Sequence, residues 1–338
     1  MRMMIRGLVF LGLISLFSFH GKGKPGPGNN EVLKMPGYFL EQGWPQLSFG
    51  YRLSEPSGIG IDTSQNIFIF DRTGRKWSDP FPDTLISKHT ILMLDRQTGK
   101  ILNSWGSELF IMPHGLTVDH QNNVWVTDVS LQEVFKFSHD GKLLMKIGIT
   151  RETGSDSLRF NQPTDVAVAK DGSFFVSDGY GNSRIVKFSA EGKYLFEWGT
   201  KGNKPGQFNL PHAIDLDNNG NVYVADRQND RIQVFDANGK FLKEFADKKL
   251  EDLFSVTIDK STQHLFATDF LVVMKYFTKG SNIMEYDTSG YLLTRFGRST
   301  TVDAPVTKYH DIAVDNEGSI YVCDIAGNRV QKYRKNSP

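Results

Sequence analysis

The sequence predicts an all-β protein, a six-bladed β-propeller, and three observations carry that prediction. A strand–turn–strand–turn–strand–turn–strand unit recurs along the chain. An Asp at the end of each unit's second strand stands at a constant distance from the residue that opens the first strand. The last unit stops after three strands, and a segment resembling the missing fourth lies near the N-terminus.

The clearest unit begins at Phe208. Its runs are Pro211-His-Ala-Ile-Asp-Leu, Val222-Tyr-Val-Ala-Asp, Arg231-Ile-Gln-Val-Phe235 and Phe241-Leu-Lys-Glu-Phe. Apolar positions alternate within the runs, and Asn, Gly and Asp punctuate the gaps, the pattern of strands joined by tight turns. The same pattern runs from Ile111 to Gly148 and from Phe160 to Gly199, with weaker copies from Pro56, Leu253 and Lys308. The marker Asp residues are Asp71, Asp128, Asp178, Asp226, Asp269 and Asp324. Fourteen residues before them stand Ser57, His114, Thr164, His212, Ser255 and His310. Six equal offsets fix six repeats, and repeats of this length with four short strands are the mark of a propeller.

The last copy ends on Arg329-Val-Gln-Lys-Tyr333, and Gly37-Tyr-Phe-Leu-Glu-Gln-Gly-Trp44 matches the fourth strand of the complete copy. The N-terminal strand is therefore expected to close the ring, which removes open sheet edges. The propeller domain is assigned to residues 37–335. Insertions at about residues 73–89 of blade one and 270–280 of blade five mark a functional face. An Asp present in every copy serves the blade, by accepting hydrogen bonds from turn backbone.

Composition narrows the function. The chain has 338 residues, with 39 Lys plus Arg against 38 Asp plus Glu, so no basic field draws it to nucleic acid. Its single cysteine, Cys323, excludes an internal disulfide framework and a thiolate zinc cluster. Arg2 and Arg6 precede the apolar run Gly7–Phe19, too short to span a bilayer comfortably but suited to a signal peptide. Residues 1–20 are read as that signal and 21–36 as a linker, giving a secreted or periplasmic protein without stable membrane insertion after signal removal. An uncleaved apolar tail is the alternative.

The position fourteen before the Asp alternates in chemistry. His114, His212 and His310 are spaced by 98 residues each time, two blades per step. Alternate blades of a six-bladed ring lie about 120° apart around its axis. Three imidazoles converging there make a facial set with an open coordination position, as a catalytic zinc requires. His20, His89, His120, His139 and His264 show no such symmetry. Arg72 and Arg227 directly follow marker Asp residues of blades one and four. They are either solvated repeat residues or carboxylate binders at one end of the channel. Tyr180, two residues after Asp178, becomes a proton acceptor if its pKa falls.

Together these residues resemble the lyase half of peptidylglycine α-amidating enzymes, peptidyl-α-hydroxyglycine α-amidating lyase, built on NHL-type repeats. The resemblance covers about residues 50–335. It is strongest in Pro113-His-Gly-Leu, Gln162-Pro-Thr-Asp-Val-Ala-Val, Val176-Ser-Asp-Gly-Tyr-Gly-Asn-Ser-Arg-Ile-Val, Pro211-His and His310-Asp-Ile. It implies zinc on His114, His212 and His310, Tyr180 as catalytic base, and Arg72 and Arg227 as substrate binders. It also implies a structural calcium on the carbonyls of Ile59 and Leu116 and the carboxylate of Asp311. The substrate implied is a small peptide or N-acyl derivative of α-hydroxyglycine, supplied by a separate hydroxylating monooxygenase. The animal enzymes' two disulfides are absent as pairs: Asn161 with Gly181, and Tyr223 with Val234, stand there instead. The family's Met-Pro before the third histidine is Lys308-Tyr309 here. A non-catalytic secreted NHL binding propeller and a metal-dependent lactonase or hydrolase on the same fold are the competing readings.

Overall fold

A computed structural model describes residues 37–48, 50–246, 251–272, 279–298 and 305–336. The expected signal peptide and linker lie outside the described residues. The described strands form six four-stranded antiparallel sheets, as the repeat predicted, and a two-stranded pair, Leu271–Val272 with Lys279–Gly280, in blade five. Blade two, for example, comprises Pro113–Val118, Val124–Asp128, Glu133–Phe137 and Leu143–Ile147. The first strand of each blade lies against the first strands of both neighbours, so these six strands line the axis.

Burial follows that order. The second strands Val124–Asp128, Phe174–Asp178 and Val222–Asp226 are buried at every residue. The outermost strand Phe241–Ala246 alternates half-buried with exposed, the pattern of a strand with one face in solvent. The core sits between blades: Trp125 and Val134 of blade two pack with Phe174, Val176 and Val186 of blade three.

The ring closes through the N-terminus, as expected. The strand Tyr38–Leu40 pairs antiparallel with Arg329–Lys335, setting Tyr38 opposite Lys335 and Leu40 opposite Tyr333. Tyr38 stacks on Phe296 of blade five at 5.4 Å between ring centres.

The marker Asp residues bind backbone, again as expected. Asp128 accepts from the N–H groups of Ile111, Met112, Ser130 and Leu131. Asp226 accepts from Asn209 N–H at 2.7 Å and from Arg231 Nε at 2.8 Å. These bonds clamp the loop entering each blade onto the end of its second strand. They fix the height at which the first strand begins, and so the height of His114 and His212.

Candidate metal and substrate site

The three histidines each stand second in a first strand: Pro113–Val118, Pro211–Leu216 and Tyr309–Val314. They share one height because the six blades share one register. Each ring is clasped by the following blade. His114 Nδ1 lies 2.7 Å from the Thr164 carbonyl, His212 Nδ1 2.6 Å from that of Phe254, and His310 Nδ1 2.7 Å from that of Ser57. A carbonyl only accepts, so each Nδ1 carries the proton and each Nε2 keeps a lone pair. The ligand atoms of the three lie within 4.8 Å of one another. Burial holds all three below the usual imidazole range, His114 at about 3, with the Arg72 charge next in weight for His114 and the His114 charge next for the other two. Three neutral, buried nitrogen donors on a common axis fit a zinc ion with a position left for substrate.

Tyr180 completes the cluster. Its Oη is 3.0 Å from His114 Nε2 and 3.1 Å from His212 Nε2. Gly179 makes this approach possible, because a Cβ there would stand 1.9 Å from the Pro211 carbonyl oxygen. Burial pushes the phenol up, and the Arg227 and Arg72 charges oppose it without overcoming it.

Arg72 and Arg227 therefore both face the site. Arg72 is 3% exposed. It donates from Nε to the Pro113 carbonyl at 3.0 Å and pairs with Glu55 at 3.2 Å. Arg227 opens the one 3₁₀ turn among the described residues, Arg227–Asn229. Its guanidinium lies 3.9 Å from the centre of the Phe254 ring, and its Nε 3.5 Å from Asp252 Oδ1. Each arginine has one carboxylate beside it, Arg72 through a hydrogen bond to Glu55 and Arg227 through an ion pair with Asp252.

Four participants escaped the sequence reading. Glu55 and Asp252 pair with the arginines. Trp77, from the blade-one insertion, packs on Tyr180 at 4.8 Å. Phe254 touches the rings of His212 and His310 at 5.0 and 5.6 Å. A signal for Phe254 existed: the residue fifteen before the marker Asp is Pro56, Pro113, Pro163 and Pro211 in blades one to four, but Phe254 in blade five.

A second constellation lies on the first strands. Asp311 accepts from Ile59 N–H at 2.8 Å and Ser255 Oγ at 2.7 Å. Gly58, beside Ile59, leaves no room for a Cβ against Leu116, so the first strands of blades one and two run in close contact here. Burial pushes both Asp311 and Asp165 up, and the Asp311 charge raises Asp165 further. The buried carboxylate of Asp165 and the half-buried one of Asp311 act on each other, and such a pair suits a hard cation such as calcium.

The remaining described histidines are ordinary where partners are seen. His139 pairs with Asp62 and His264 with Glu285, both at 2.8 Å. His20 lies outside the described residues.

Comparison with known proteins agrees with the fold and with the family resemblance. A family model described as a 6-bladed beta-propeller, DUF5128, matches residues 149–290. The protein named probable peptidyl-alpha-hydroxyglycine alpha-amidating lyase pgal-1 of Caenorhabditis elegans is 32% identical over 83% of this chain and 83% of its own length. The chain belongs to the peptidyl-α-hydroxyglycine α-amidating lyase family. The peptidyl-glycine alpha-amidating monooxygenase B of Xenopus laevis is 35% identical over 92% of this chain, which spans 37% of that longer protein. A solved streptogramin B lyase superposes over 90% of this chain with a TM-score of 0.54 at 17% identity, a likeness of fold.

The two pairs of positions singled out in the sequence, Asn161 with Gly181 and Tyr223 with Val234, are neighbours in the fold. Asn161 packs its side chain over Gly181, where a Cβ would meet its Cγ at 2.1 Å. Tyr223 and Val234 are direct cross-strand partners.

Proposed function

We propose that this chain is a zinc-dependent lyase that cleaves a peptidyl- or N-acyl-α-hydroxyglycine into an amide and glyoxylate. The observation that carries the reading is the convergence of His114, His212 and His310 on one another, with Tyr180 Oη against His114 and His212 and with Arg72 and Arg227 beside it. Family membership supports the reaction class.

The reaction breaks the C–N bond and forms the aldehyde C=O of glyoxylate. The substrate hydroxyl must lose a proton and the departing amide nitrogen must gain one. Tyr180 is assigned the hydroxyl proton, since its Oη sits among the imidazoles at the axis. Arg72 and Arg227 bind the substrate carboxylate, exchanging or sharing the carboxylates of Glu55 and Asp252 that now pair with them. Trp77 and Phe254 wall the site and keep water from these charges, which strengthens them. A zinc ion on the three Nε2 atoms would supply Lewis-acid polarisation of the substrate oxygen and a positive charge that lowers a neighbouring phenol. A structural calcium on Asp311 and the Ile59 and Leu116 carbonyls would relieve the carboxylates of Asp165 and Asp311. On this reading the N-terminal apolar run exports the chain, and a separate monooxygenase makes its substrate.

The test is metal analysis of the purified protein followed by incubation with α-hydroxyhippurate. About one zinc per chain with stoichiometric glyoxylate and benzamide is the expected result. Zinc without glyoxylate would refute the reaction, and lactone turnover in its place would favour a hydrolase. Absence of both zinc and turnover would leave a binding propeller.

A further inference from the structure

Lys308 has no part in the reaction just described. It precedes the strand Tyr309–Val314, and its backbone is pinned at both ends. Its N–H donates to Asp324 Oδ1 at 2.9 Å, and its carbonyl accepts from Ile325 N–H at 3.0 Å. Its Nζ lies 5.2 Å from the centre of the Phe254 ring and 5.1 Å from that of Phe270. Phe254 is the ring that carries the Arg227 guanidinium and touches His212 and His310. The ammonium therefore stands at the rim of the imidazole site, on the blade-five side. The part of the rim supplied by blade one is aromatic: Trp77 packs on Tyr180, and Phe81 packs edge-on against Trp77 at 4.9 Å.

The two arginines each have a carboxylate, Glu55 and Asp252. Among the described residues no carboxylate forms an ion pair with Lys308. Two aromatic faces attract an ammonium but cannot accept its N–H groups as an oxygen would. Half-burial and the cations Arg227 and Arg72 disfavour the charge, and the nearby anions Asp252 and Glu55, each already paired with an arginine, oppose this only in part. One substrate carboxylate, engaged by the arginines, leaves Lys308 unmatched.

We infer that Lys308, seated on Phe254 and Phe270, forms a subsite for a second anionic group, the side-chain carboxylate of an Asp or Glu immediately before the α-hydroxyglycine. This rests on the lyase reading for the position of the first carboxylate. Lys308 and Arg227 flank one ring, so their anions lie within the span of adjacent residues of a peptide, about 3.5 Å per residue plus side-chain reach. Lys308 is thus a specificity-determining residue, and the site selects acidic C-termini among α-hydroxyglycine peptides.

The experiment compares two acylated dipeptide substrates, one with Glu and one with Gln before α-hydroxyglycine. A charge-assisted pair that water screens only in part gives about a tenfold higher kcat/KM for the Glu substrate, carried by KM. The preference shrinks as salt rises. It falls to near unity in Lys308→Met and survives in Lys308→Arg. Each value is a ratio within one protein, so a partly misfolded variant still reports. Equal kcat/KM for the two substrates in the unsubstituted protein overturns the subsite, as does a preference that persists in Lys308→Met. If neither substrate turns over, the lyase reading fails, and calorimetric binding of the matching Glu-Gly and Gln-Gly peptides decides the subsite alone. Tighter Glu-Gly binding that depends on Lys308 upholds it, and equal binding overturns it.

Discussion

Tyr180 reaches the axis with its ring packed on Trp77 and its Oη within 3.1 Å of two imidazoles. Replacing it with Phe removes the oxygen and keeps the ring. The expected result is a kcat lowered about 10²-fold or more with zinc content unchanged, read by glyoxylate assay and metal analysis on one sample. Full turnover in Tyr180→Phe would end its assignment as proton acceptor. His212→Ala separates the roles from the other side. Removing one of three nitrogen donors is expected to strip the metal, so zinc per chain and activity fall together. Zinc retained at the original stoichiometry would refute the ligand set. The histidines were legible because a repeat exposes any residue type that recurs at one phase. Tyr180 occurs once, has no counterpart in the other blades, and became prominent only through the family resemblance.

Within a blade, the marker Asp is more than a turn acceptor. In blade four Asp226 binds Arg231, which also pairs with Glu244 at 2.9 Å and donates to the carbonyls of Asn203, Lys204 and Gln207. Arg184 repeats the arrangement in blade three with Asp178 and Glu197. In blade six Arg329 pairs with Asp324 but is 46% exposed at its side chain, against 7% for Arg231. Removing one partner of a buried, hydrogen-bonded pair costs about 3–5 kcal/mol, because the other charge stays buried and uncompensated. Arg231→Ala is therefore expected to lose about that much in a denaturant titration, and Arg329→Ala clearly less. Equal losses would mean that burial of the arginine does not set the energy of the latch. The Asp phase and the strand order were readable because both are periodic. The loop residues that finish the site were not. Glu55 and Asp252 lie between strands, and Trp77 lies in an insertion that blades two, three, four and six lack, so no periodicity points to them.

At the scale of the whole molecule, the site belongs to no single blade. His114, His212 and His310 come from blades two, four and six, so ligand geometry depends on a closed ring. Blade six is completed by a segment remote in sequence, and Tyr38 is its anchor. Tyr38 is 2% exposed, stacks on Phe296 of blade five, and donates from its hydroxyl to Glu285 Oε2 at 3.1 Å. It thus joins the closing strand both to its own sheet and to the neighbouring blade. Truncating a buried aromatic to Ala costs about 3–5 kcal/mol. For a domain of this size each kcal/mol lowers Tm by about 2–4 °C. Tyr38→Ala is expected to melt roughly 10 °C lower in calorimetry, by the product of those two ranges. It is also expected to release zinc more readily to a chelator, because an edge that frays at blade six loosens His310. Tyr38 lies in the opposite sheet edge from the imidazoles, so faster zinc release would report the ring rather than any local contact. A lowered Tm with unchanged zinc release would show instead that contacts between the first strands hold the three histidines in place without the closing strand.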